Sequence, residues 1–157
     1  MSIFTTRKVF KETLSAFFER DIKKLIEEIS LYKDETLLWK VHPGIANSAG
    51  NLCLHLTGNL NHFIGAVLGK TGYIRNRDSE FSAKGTARSA LISELENVQG
   101  LSSKIIQELK EKDFESDYPV QKHGETVSTG HMLIHLLTHL NYHLGQINYH
   151  RRMIDPD

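Results

Sequence analysis

Apolar residues recur at three- and four-residue spacings along most of this chain. In residues 4–32, Val9, Phe10, Leu14, Phe17, Phe18, Leu25, Ile26 and Ile29 keep that rhythm, and Glu, Lys and Arg fill the other face. The pattern predicts a long amphipathic helix. The run Val41-His-Pro-Gly-Ile-Ala-Asn47 interrupts it, because proline and glycine end regular structure. Asn47 or Ser48 can then cap a second helix, predicted over residues 48–69. Gly72 and the polar residues 75–82 read as a loop. Leu91, Leu95, Val98, Leu101, Ile105 and Leu109 predict a third helix over residues 86–112. Around His123-Gly124 the residue types turn weakly strand-like, so a short irregular or hairpin connection is expected there. Ser128 or Thr129 caps a last helix that ends near residue 153. The fold class expected is therefore all-α, a four-helix bundle. With no repeat or linker in view, residues 1–157 are expected to form a single domain.

Composition narrows the function by exclusion. Lys plus Arg equals Asp plus Glu at 19 each, giving zero formal net charge and a pI of about 7.1. Such a balance supplies no overall field for capturing nucleic acid or an anionic membrane. The apolar runs are too short to span a bilayer, and the N-terminus lacks the continuous apolar stretch of a signal peptide. Cys53 stands alone, so no internal disulfide can form. A cytoplasmic protein acting on a small molecule is the expectation. The distribution of charge says more than its total. Residues 36–77 and 126–154 contain no Asp or Glu, and every histidine except His123 lies within these two stretches.

Within the second stretch, His131, His135, His139 and His143 follow one another at four-residue intervals. Four residues make just over one helical turn, so the imidazoles stack along one side of the last helix. With about 100° per residue, the ladder borders the apolar sector of Leu133, Leu136, Leu140, Leu144 and Ile147. His139 and His143 lean furthest towards the bundle, and His131 drifts to the edge. The second helix carries a matching stripe of His55, Asn59 and His62. Either His55 or His62 could add a third imidazole, and periodicity does not choose between them. Neutral imidazole is the commonest protein ligand for a transition metal. Three such ligands leave a coordination position open, which is the pattern of a catalytic site. Ligand type favours Zn, Ni, Cu or Fe over Mg or Ca. Neither helix carries an acid, so the ion's charge is expected to stay uncompensated and to draw an anionic ligand. Gln146 and Asn59 are the nearest candidates to hold the imidazoles by hydrogen bonds. The alternative is bland: paired histidines often decorate a surface or a core edge. His42 reads as exposed, Cys53 as a small buried apolar group and Trp39 as a core anchor.

Two segments carry a family resemblance. The run Asn51-Leu-Cys-Leu-His-Leu-Thr-Gly-Asn-Leu-Asn-His-Phe-Ile-Gly65 resembles the second helix of the DinB-like superfamily. The run Thr138-His-Leu-Asn-Tyr-His-Leu-Gly-Gln-Ile147 resembles that superfamily's His-x-x-x-His-x-Gly-Gln signature. The likeness extends over nearly the whole chain. It implies a four-helix bundle, often a homodimer, with a divalent metal held by His55, His139 and His143, and so prefers His55 to His62 and the later pair to His135. The superfamily includes metal-dependent transferases that use low-molecular-weight thiols such as bacillithiol, mycothiol or glutathione. The expected function is accordingly a metal-dependent enzyme, with Zn2+ or Ni2+ and a thiol cofactor or water attacking a small electrophile. Gln146 and Asn59 would orient ligands, and His135 or Tyr142 would position substrate. The alternative is a metal-binding or stress-response bundle without turnover. His62, His131 and His150 have no assigned role at this stage.

Overall fold

The computed structural model describes residues 3–122 and 124–156, with side chains from residue 9 onward. Four long helices form the frame, as the periodicity predicts. Helix α1 spans Ile3–Ser30, α2 Ala49–Leu60, α4 Arg88–Glu108 and α5 Thr129–Ile154. Between α2 and α4 lies a short helix, α3, over Arg77–Ser82. This corrects the reading of residues 75–82 as a loop. Six residues are too few to show a hydrophobic period, but Asn76 caps them by accepting from Ser79 N at 3.2 Å. Among the described residues there is no strand.

The caps explain where the helices begin. Ser48 accepts from Asn51 N, and Ser128 accepts from His131 N, each at 3.2 Å. Helix α2 runs on into π-helical turns over Asn61–Leu68, closed by Gly69 N reaching back five residues to Ile64 O at 2.9 Å. The third predicted helix is trimmed at both ends, and its expected tail becomes a 3₁₀ turn over Glu111–Phe114. The connection before α5 is half a hairpin. Tyr118 N donates to Val127 O at 2.8 Å, and Lys122 and Glu125 pair across a tight turn. No ladder forms between them, and Pro119 has no N–H to offer one. His123 lies outside the described residues.

The core is continuous through all four long helices: Phe18, Ile22, Leu25 and Ile29 of α1 share one cluster with Leu56, Leu95, Leu136 and Leu140. Helix α1 packs on α4 and α5, while α2 packs on α3, α4 and α5. Trp39 folds over α2 at Gly50, where any Cβ would sit 2.8 Å from the indole. Cys53 is fully buried, and burial pushes its thiol up to about 12, so it is an inert apolar group. His150, unassigned from sequence, is a structural stitch and not part of the ladder's inward pair. It is buried, accepts at Nδ1 from the Tyr32 hydroxyl at 2.6 Å, and donates from Nε2 to Lys40 O at 2.8 Å. Among the described residues no helix is long and apolar enough to cross a membrane.

Candidate metal centre

Helices α2 and α5 pack against each other at the level of His55 and His139, and the imidazoles meet there. His139 Nε2 lies 3.2 Å from His55 Nε2 and 3.1 Å from His143 Nε2. The three residues each place a ring nitrogen within 4.8 Å of the others. Two nitrogens bound to one ion at about 2.0–2.1 Å stand roughly 2.9 Å apart at a right angle and roughly 3.4 Å apart in a tetrahedron. The observed spacings fall between these limits.

Hydrogen bonds decide which ring nitrogens are bare. His55 Nδ1 lies 2.9 Å from Glu80 Oε2, so it carries the proton and donates to the carboxylate. His143 Nδ1 likewise donates to Gln146 Oε1 at 2.6 Å. Both rings therefore turn an unprotonated Nε2 towards the Nε2 of His139. Lone pairs that converge in this way are satisfied by a proton on His139 Nε2, donated to one of them, or by a cation shared among all three. His139 Nδ1 is buried with no hydrogen-bond partner, so nothing in the protein diverts its ring to another task. The donor set fits a divalent metal.

Glu80 is the residue that sequence reasoning missed. It is 5% exposed, and α3 carries it into the site although both histidine-bearing helices are acid-free. Arg75 grips it with two bonds, Nε to Oε1 at 2.7 Å and Nη2 to Oε2 at 2.8 Å. Asn51 of α2 anchors α3 from beneath, donating through Nδ2 to Glu80 O at 3.0 Å and to Ala83 O at 2.9 Å. Glu80 also lies against Gly58, where an added Cβ would overlap the carboxylate. The expectation that no acid reaches the centre is thus corrected. The charges of Glu80 and Arg75 cancel formally. A signal was available: Asn76 followed by acids at Asp78 and Glu80 is the signature of a helix start.

The other predicted residues are divided. Gln146 Oε1 lies 2.6 Å from His143 Nδ1. Asn59 makes no hydrogen bond to the imidazoles; it lines the neighbouring cleft, with a buried Oδ1 that has no partner. His135 stacks beside His139, ring centroids 6.2 Å apart, and lines the same cleft. Tyr142 is exposed with its ring against His143. His62 stands two turns beyond His55, roughly 10 Å along the axis, and rests on Phe63. His131 is exposed at the end of the ladder, and His42 is half-buried, not exposed, bonded to its own Pro43 O at 2.8 Å.

Burial holds His139 well below the ordinary histidine value, at about 4, with the neighbouring imidazoles acting in the same direction. Burial also lowers His55, although Glu80 pulls it back, and lowers His143 and His150. Each of these groups is protonated more readily in the unfolded chain than in the fold. Their contribution is fully present above the unfolded value of about 6.5 and is lost as pH falls towards the folded values. The metal-free protein should therefore show a urea midpoint that is level from pH 7.5 to about pH 6.5 and declines from there to pH 5. A flat profile over that window would contradict the buried, neutral state of these rings.

Comparison with known proteins agrees with the fold. A family model described as "Protein of unknown function (DUF1572)" matches residues 6–157. The crystal structure of a DinB-like protein from Bacillus cereus ATCC 10987 superimposes with a TM-score of 0.66. It is 18% identical to this chain, and the match covers 85% of each. None of the curated proteins matches.

Proposed function

The chain belongs to the DUF1572 family of the DinB-like group, and from that premise we propose that it is a metal-dependent enzyme acting on a small electrophile. His55, His139 and His143 hold the ion, Zn2+ or Ni2+ by ligand type. The observation that carries the reading is the meeting of three Nε2 atoms at His139, two of them left bare because Glu80 and Gln146 hold the ring proton at Nδ1. A bound divalent ion lowers the pKa of a coordinated water or thiol and so supplies a nucleophile at neutral pH. The protein's own part is positional. Glu80 and Arg75 fix the tautomer and tilt of His55, Gln146 does the same for His143, and Asn59 and His135 face the space where a substrate would lie.

The test begins with metal analysis of freshly purified protein without a histidine tag. Thiol conjugation to an electrophile panel, and hydrolysis of the same panel, are then followed before and after chelation. Turnover should vanish with the chelator and return with zinc or nickel. Turnover that ignores the chelator would refute the metal-dependent mechanism. One metal per chain without turnover would favour the storage or sensing role.

We further propose that the chain works as a cytoplasmic homodimer. The outer side of α5 exposes Ile134, Tyr142, Tyr149 and Met153 at helical spacings, on a stretch with no acid to oppose pairing. Sedimentation at micromolar concentration should give twice the chain mass, and a Tyr149→Glu variant should shift it to monomer. A monomeric native protein would end the dimer proposal.

A further inference from the structure

Beside the imidazole cluster lies a cleft of about 300 Å³, a size suited to a metabolite-scale ligand. His55, His135 and His139 form one wall. The charged residues on its lining are Arg75, Arg77 and Lys122, and among the described residues no carboxylate lines it. In a chain of zero net charge this is a local concentration of positive potential, not a general property. Arg75 is committed to Glu80. Arg77 lies over the Phe81 ring at 5.2 Å, a contact that leaves its donors available, and neither it nor Lys122 has a carboxylate partner among the described residues. Phe63, Met132 and Leu136 supply an apolar surface. Asn59, 7% exposed and with Oδ1 unpartnered, adds hydrogen-bonding capacity that the protein itself does not use.

We propose that this cleft binds a small organic anion with an apolar body, its charge met by Arg77 and Lys122 and its body laid against Phe63, Met132 and Leu136. The inference deepens the metal-enzyme reading by naming a substrate class; it rests on that reading for the chemistry but not for the binding. A carboxylate or thiolate held there would sit beside the imidazoles, within reach of whatever the ion activates. Charge alone would not select it, because the apolar wall rewards a ligand that brings surface to bury.

Three probes separate these features: benzoate has both, benzamide keeps the ring without the charge, and acetate keeps the charge without the ring. Each is titrated calorimetrically into metal-free and zinc-loaded protein. Benzoate should bind about tenfold or more tighter than either of the others. The Arg77→Gln/Lys122→Gln variant should weaken benzoate about tenfold and leave benzamide unchanged. Benzamide or acetate equal to benzoate, or a variant that holds benzoate as the native protein does, would overturn the proposal. The comparison of probes on native protein needs no variant to fold. Zinc titrated alone into the same samples keeps the two readings apart. Absent zinc uptake with benzoate selectivity intact sinks the metal centre and supports the cleft, whereas full zinc uptake without selectivity overturns the cleft alone.

Discussion

His139→Ala should abolish measurable metal binding while leaving the metal-free fold nearly as stable as before. The geometry makes His139 the shared member of the cluster, since its Nε2 is the one close to both of the others. Apparent free energies of roughly 10–16 kcal/mol for a well-made zinc site, spread over its ligands, put the loss of one imidazole at about three orders of magnitude in affinity. The cost to the metal-free protein is small by comparison. The substitution removes a half-buried ring whose Nδ1 is an unpartnered buried polar atom, so lost packing is partly offset by relief of that penalty. Thermal unfolding distinguishes the two effects. Zinc at about a hundred times its Kd should stabilise the native chain by about 2.7 kcal/mol, a rise of roughly 5–11 °C for a domain of this size. The variant should show no such rise. A His139→Ala protein that zinc stabilises as well as it does the native chain would remove the metal from this site.

Glu80→Gln is expected to damage both stability and metal binding, for one reason. The amide keeps the shape and can still accept from His55, but Arg75, whose side chain is 12% exposed, is left without a counter-charge. Breaking a buried pair from one side costs about 3–5 kcal/mol, because the remaining charge stays desolvated. Removal of a carboxylate that orients a metal-ligating histidine typically costs a further 10–100-fold in affinity, by about the same logic of lost pre-organisation. The double variant Arg75→Gln/Glu80→Gln should recover most of the stability, as no lone charge remains, yet keep the affinity loss. Urea unfolding and zinc titration of the three variants give the answer. A Glu80→Gln protein that loses under about 1 kcal/mol and binds zinc normally would mean that the ion pair is ornamental.

How much of this was legible beforehand follows from what periodicity can encode. The long helices announce themselves because each must present an apolar stripe to the others, and residues such as Leu91, Leu95 and Val98 record that in local spacing. The pairing of His139 with His143 is local in the same sense. Which rung of the ladder meets α2 is not, because it depends on how far two helices slide past one another before their ridges interlock. His135–His139 has the same spacing; the later pair leans further inward, but the depth at which His55 stands is what brings it into contact. Periodicity left His55 and His62 open for the same reason, and the family resemblance alone preferred one. Glu80 was harder still. It sits on a helix too short to carry a period, and the bonds that fix it, from Asn51, span 29 and 32 residues. The half-formed hairpin before α5 is the reverse case, where strand-like residue types around residues 118–127 met a proline and a tight turn and never built a ladder.

Gly58 lies in the last turn of α2, just before the helix runs on into its π-helical turns, and glycine inside a helix weakens it by about 1 kcal/mol relative to alanine. The backbone tolerates that weakness at the one spot where the acid from α3 presses in. Positions 58 and 80 are therefore bound into a single heritable unit: a family sequence with a bulkier residue at the first should have surrendered its acid at the second.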